Sequence, residues 1–126
     1  MKIKKTIIVL LLCFLPVAPS FAQKVGEALS AWKEGYMDIH HINTGCGECA
    51  YIIFPDGTTM LVDAGENKAD NPRHVLPKPN AGRTPGEWIV DYIQAMAPDQ
   101  NQKLDYALIT HFHSDHMGGV FKTKNE

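Results

Sequence analysis

The run Thr110-His111-Phe112-His113-Ser114-Asp115-His116-Met117-Gly118-Gly119 constrains this 126-residue chain more than any other segment. Three of the six histidines fall within six positions, with Asp115 among them. Imidazole and carboxylate are the side chains that hold zinc and similar divalent ions. In an extended segment, side chains two apart point to the same side, so His111 and His113 can grip one ion as a pair. Asp115 and His116 follow on a turn, where neighbouring side chains diverge and can reach a second ion. Ions paired about 3.5–4 Å apart recur in hydrolytic sites. Upstream, Leu104-Asp105-Tyr106-Ala107-Leu108-Ile109 is an apolar, strand-like run that leads straight into the cluster. A cluster mounted at the carboxyl end of a buried strand is how α/β proteins present chemistry. Gly118-Gly119 permits a tight turn into the next element.

The rest of the chain supplies a frame for that strand. Residues 37–42 read as a first strand, followed by a glycine loop at 45–47. Residues 50–54 and 58–62 flank Pro55-Asp56-Gly57, a turn signal that makes the pair a hairpin. From 64 to 83 the sequence is rich in Asn, Pro, Lys and Gly without a clean period, and reads as a long loop. Thr84-Pro85-Gly86-Glu87 has the form of a capping box with proline at the first helical position. Trp88, Ile89, Tyr92, Ile93 and Met96 then recur at helical spacing as one apolar face, and Pro98 ends the helix. The order β-β-β-α-β puts the histidine cluster at the carboxyl end of the last strand.

The first residues belong to a different class of segment. Lys2, Lys4 and Lys5 form a basic head, 7–15 is an unbroken apolar run, and Ser20-Phe21-Ala22 offers small residues where a signal peptidase reads. The run is shorter than the roughly 20 residues that span a bilayer, so the expectation is a signal peptide over 1–22 with no membrane span after cleavage. Leu12 is too bulky to make Cys13 a lipidation site. The mature chain, 23–126, would be periplasmic or secreted. Its net charge falls from −2 to −5 and no basic cluster survives, so there is no clear nucleic-acid footprint. Cys46 and Cys49 remain, spaced Cys-Gly-Glu-Cys, and allow either a local disulfide or two free thiols. A thioredoxin-like pair opens a helix, whereas 50–54 reads as strand, which speaks against redox catalysis. His40 and His41 are adjacent in a strand, face opposite sides and cannot chelate one ion together. His74, in the long loop, reads as a solvated residue.

The segment Thr110 to Gly119 resembles the first metal motif of metallo-β-lactamase-fold hydrolases, T-H-x-H-x-D-H-x-G-G, at every position. Thr59-Met60-Leu61-Val62-Asp63-Ala64-Gly65 is similar to the family's earlier strand ending in D-x-G, whose aspartate supports the metal loop rather than binding metal. Asn43-Thr44-Gly45-Cys46-Gly47-Glu48 resembles the G-x-G-[DE] loop of the branch that includes the hydrolase domain of DNA-uptake competence proteins. The resemblance implies an αββα sandwich. It makes His111 and His113 ligands of a first metal, and Asp115 and His116 ligands of a second. The family completes its site with a histidine, a bridging aspartate and a last histidine downstream of this motif. Residues 23–126 are therefore expected to be the N-terminal half of such a domain, within a longer protein.

The function implied is an exported metal-dependent hydrolase using a metal-activated hydroxide, with Asp115 also orienting the nucleophile. Zinc is the expected metal, two ions in the complete site, ahead of iron or manganese. Esters, lactams, thioesters and phosphodiesters all remain open as small-molecule substrates. The alternatives are a non-catalytic metal-binding module and an inactive truncated product.

Overall fold

A computed structural model describes residues 25–66, 71–75, 79–98 and 103–120. The signal peptide expected over 1–22 lies outside these residues. Four short strands, β1 (Asp38–His41), β2 (Ala50–Ile53), β3 (Thr59–Val62) and β4 (Tyr106–Leu108), form one sheet in the order β1-β2-β3-β4. The first three run antiparallel, whereas β4 lies parallel to β3. A parallel neighbour requires a crossover, and helix α1 (Pro85–Met96) lies within the one used here. A second helix, α2 (Ser114–Met117), and a 3-10 turn (Gly118–Val120) follow β4. Among the described residues no helix is long and apolar enough to cross a membrane.

Local chemistry explains the frame. Phe54 N–H donates to Thr58 O at 2.8 Å, and Thr58 N–H to Asp56 Oδ1 at 3.0 Å, closing the hairpin at Pro55-Asp56-Gly57. Thr84 caps α1: Glu87 N–H donates to its hydroxyl at 3.3 Å, while the Thr84 N–H reaches Glu87 Oε2 at 2.8 Å. Both orphan donors are thereby satisfied, as the sequence led us to expect. The described parts of 64–83 hold only turns and bends.

Strand alternation divides the sheet into two unlike faces. Asp38, His40, Tyr51, Ile53, Thr59 and Leu61 share one face by register. There Tyr51 and Ile53 are fully buried with Ile89 and Ile93 of α1, in the core that also holds Cys49 and Ala64. The opposite face carries a cross-strand row of Ile39, Ile52, Met60 and Tyr106. On it Ile39 is 51% exposed, Tyr106 62% and Leu108 49%. The expectation of a buried strand before the cluster is therefore corrected. All three residues of β4 are exposed: the strand pairs on one side only, and no layer among the described residues covers the face of Tyr106 and Leu108.

Candidate metal centre

Beyond β4 the chain bends at Thr110 and passes through His111 and Phe112 to His113, the N-cap residue of α2. Asp115 lies in the first turn of that helix and His116 follows it. One donor atom each from His111, His113 and Asp115 lie within 4.8 Å of one another. The His111 ring stands 4.9 Å from that of His113 and 3.7 Å from that of His116, centroid to centroid. His116 Nε2 is 3.7 Å from Asp115 Oδ2. All four residues singled out from the sequence thus meet at one place. His111 and His113 are exposed, and Asp115 and His116 half-buried.

Asp63 organises this cluster from beneath. Only 1% exposed, it adopts φ 56°, the left-handed conformation that aspartate tolerates better than most residues. Its Oδ1 accepts from Thr110 N–H at 2.7 Å, and its Oδ2 accepts from the Thr110 hydroxyl at 2.7 Å. His116 Nδ1 lies 2.7 Å from the same Oδ2. Burial pushes the Asp63 carboxyl upward, but the hydrogen bonds from His116 and Thr110 outweigh it and hold the group below the usual carboxylate range. An ionised carboxylate only accepts, so Nδ1 of His116 is the donor and Nε2 is the nitrogen left for other partners. The Thr110 hydroxyl, donating to Asp63, has a lone pair left for His111 Nδ1, 3.3 Å away. Fixing one ring nitrogen inward and leaving the other free is how second partners prepare histidine for metal. Two free imidazole nitrogens, a third histidine and an accessible carboxylate suit a divalent ion of the zinc type.

The backbone of the metal loop is held with equal care. Ala64 N–H donates to His116 O at 2.6 Å, Glu66 N–H to Ser114 O at 3.0 Å, and Glu48 N–H to Asp115 O at 3.0 Å. Gly65 N–H in turn donates to Glu48 O at 2.9 Å, tying the two supporting loops together. Gly47, at φ 83°, lies so close to Asp115 that a Cβ there would run into the Asp115 carbonyl. Gly118 and Gly119 lie in the 3-10 turn that follows α2. Gly118 sits at φ −62°, so no left-handed turn demands it. Their small size is what matters: a Cβ on Gly119 would meet Ala64 O at 3.0 Å, and one on Gly118 would strike Glu66. Sequence reasoning found Asp63 through its motif, but neither the Thr110 hydroxyl bridge nor the Gly47 contact.

The remaining titratable residues lie elsewhere. His40 is under α1, its Nδ1 3.0 Å from the Tyr92 hydroxyl, and burial lowers its pKa against the opposing charge of Asp38. His41 faces the other way, exposed, 3.5 Å from a Glu48 carboxylate oxygen. His74 contacts Asn71 within the long loop. Cys46 and Cys49 are free thiols. Cys49 is buried, and burial, reinforced by the charges of Glu48 and Asp63, pushes its thiol up to about 12.

Residues 43–126, two-thirds of the chain, match the family model described as the metallo-beta-lactamase superfamily. No curated protein and no solved structure gives a significant match to the chain.

Proposed function

Because the chain belongs to the metallo-β-lactamase superfamily, we propose that it is an exported hydrolase working with two divalent ions, zinc in first place. The observation that carries this reading is the convergence of His111, His113 and Asp115 within 4.8 Å, beside a His116 whose Nδ1 is fixed by Asp63. A divalent pair supplies a water nucleophile at neutral pH and a clamp on the substrate's reacting oxygen. This chain's own residues do the rest. His111, His113, Asp115 and His116 would hold the ions, with Asp63 and Thr110 setting the imidazole orientation. Asp115 would also orient the water nucleophile by accepting a hydrogen bond from it. The cluster lies at an exposed loop, open to a carbonyl or phosphoryl substrate: an ester, lactam, thioester or phosphodiester.

Four donors fall short of what two ions need, each wanting about four partners. The reading therefore places the remaining ligands outside the described residues. The uncovered apolar face of the sheet favours a second layer, as an αββα sandwich has. The loop at 44–48, which holds Asp115, is the part that favours a competence-type branch.

The test is to prepare the protein, remove metal with a chelator, and restore it with zinc, iron or manganese during a screen of the four substrate classes. Metal-dependent turnover that is lost together with the metal in His111→Ala and His113→Ala is the expected result. Full metal content in both variants by elemental analysis would refute the ligand assignment, and metal-loaded protein without turnover on any class would refute the hydrolase.

A further inference from the structure

Cys46 and Cys49 bracket Gly47 and Glu48, the two residues that seat the Asp115 carbonyl. Glu48 N–H donates to it at 3.0 Å, and Gly47 lies too close to it for a side chain. We propose that the two cysteines join in a reversible disulfide that locks this loop beneath the metal loop. The effect on metal rests on the metallohydrolase reading above, whereas the link itself does not.

The fold brings the pair toward one place. Ile42 N–H donates to Cys49 O at 2.9 Å and so closes residues 43–48 into a loop between β1 and β2. Within it the chain bends at 45–47, with Gly45 and Gly47 both at φ 83°. The Thr44 hydroxyl donates to Cys46 O at 2.7 Å and holds the bend. A disulfide takes Cα atoms about 4.4–6.8 Å apart, a span that residues three apart reach where the chain turns back rather than runs extended. Both cysteines also meet the same dipeptide. Cys49 shares the core cluster with Ala64, and a Cβ on Gly65 would stand 2.7 Å from Cys46 O.

Their surroundings give the two thiols different parts. Cys46 is half-buried, whereas Cys49 is 1% exposed and its thiol is pushed up to about 12. The thiolate is the nucleophile in thiol–disulfide exchange, so Cys46 reacts first. With a low-molecular-weight disulfide RSSR as oxidant, Cys46 gives up its proton and attacks, the S–S bond of RSSR breaks, and one RSH departs. Cys49 then gives up its proton, attacks the Cys46 sulfur of the mixed disulfide and releases the second RSH. Two protein thiols are oxidised and one RSSR is reduced to two RSH. Once joined, the cysteines close a ring around Gly47 and Glu48 and cut the conformations open to them. The bonds from Glu48 N–H to Asp115 O and from Gly65 N–H to Glu48 O then form at a smaller ordering cost, as does the metal loop they support.

The experiment treats the metal-free protein with oxidised glutathione and digests it with a protease that cuts after glutamate. Cleavage after Glu48 separates Cys46 from Cys49, so the two peptides should stay joined until a dithiol reductant is added. Cys13, the other cysteine of the sequence, should be linked to neither. Cys49→Ser should stop at a glutathione adduct on Cys46, while Cys46→Ser should leave Cys49 unmodified. Oxidation should raise the urea midpoint by roughly 0.5–1 M, the low end for a ring this short, and should tighten zinc binding by about twofold or more in chelator competition. Separate peptides after oxidation, modification of Cys49 ahead of Cys46, an unchanged midpoint, or zinc binding that does not tighten would overturn the lock. The peptide map of the unaltered protein decides the link even if a variant fails to fold. Absence of zinc binding in both forms, with the link and the midpoint shift present, would remove the hydrolase reading and leave the disulfide standing.

Discussion

Replacing Asp63 with Asn should damage the metal centre without touching any metal donor. Asparagine keeps the shape of the side chain and tolerates the left-handed backbone at φ 56°, so the change isolates hydrogen bonding from strain. One amide oxygen can still accept from Thr110 N–H. The amide nitrogen would then face the Thr110 hydroxyl and His116 Nδ1, where Oδ2 now accepts two bonds of 2.7 Å each. Bonds to a charged group contribute about 1.5–3 kcal/mol apiece, and the low end applies because Thr110 is exposed. With neutral bonds regained at about 0.5 kcal/mol each, the net loss is about 2 kcal/mol. In urea this should lower the unfolding midpoint of the metal-free protein by roughly 1–2 M. A second effect is chemical. An amide N–H donating to His116 Nδ1 drives the ring proton to Nε2, the nitrogen offered to metal, and zinc affinity should fall by about 10–100-fold. Urea titration with chelator present measures the first effect, and chelator competition the second. An Asp63→Asn protein with an unchanged midpoint and zinc affinity within about twofold would show that Asp63 does not organise the loop.

Three further outcomes are expected. Thr84→Ala should cost about 1 kcal/mol in urea titration by opening the capping box of α1, and an unchanged midpoint would mean that the cap contributes nothing. Gly47→Ala should cost at least about 1–2 kcal/mol, because alanine is strained at φ 83° and its Cβ meets the Asp115 carbonyl, and it should weaken zinc binding in chelator competition. Burial lowers the His40 pKa in the folded protein, with Asp38 opposing, while the unfolded chain titrates near 6.5. The unfolded state thus takes up the proton first, so His40's contribution is complete above pH 6.5 and is lost as pH falls from there toward the folded value. A urea midpoint that declines below pH 6.5 in the unaltered protein but less steeply in His40→Gln is the expected signature, and equal slopes would remove His40 as the cause.

The parts of the structure legible in the sequence are those written in neighbouring residues. Pro55-Asp56-Gly57 announced its hairpin and Thr84-Pro85-Gly86-Glu87 its helix start, because turns and caps are made by side chains a few positions apart. The cluster of His111, His113, Asp115 and His116 was equally visible, since its members stand within six positions of one another. Burial is a different kind of property. The run at 104–109 looks like an interior strand, and only the sheet order shows that β4 is an edge with an open face. The same holds for the supports of the site. His116 and Asp63 are 53 positions apart, and no local rule joins them. Gly118-Gly119 carries the signal of a turn, yet the constraint comes from close approach of residues 64–66.

Helix α2 makes the consequence plain. Four residues cannot sustain a helix alone, because nucleation costs more than one turn returns. It persists here because the carbonyls of Ser114, Asp115 and His116 each receive a backbone N–H from elsewhere, respectively from Glu66, Glu48 and Ala64. Those three donors come from the two loops that flank the β2–β3 hairpin, so the metal loop is ordered only to the extent that the hairpin is. A site assembled this way would bind metal with whatever free energy remains after its own ordering. By the same linkage, metal that binds only the folded form must stabilise the hairpin as well as the loop. Added zinc should therefore raise the unfolding midpoint of the unaltered protein. It should do so less in Gly47→Ala, where one supporting loop is displaced although every donor is intact. An equal rise in both proteins would show that the donors gather without their supports.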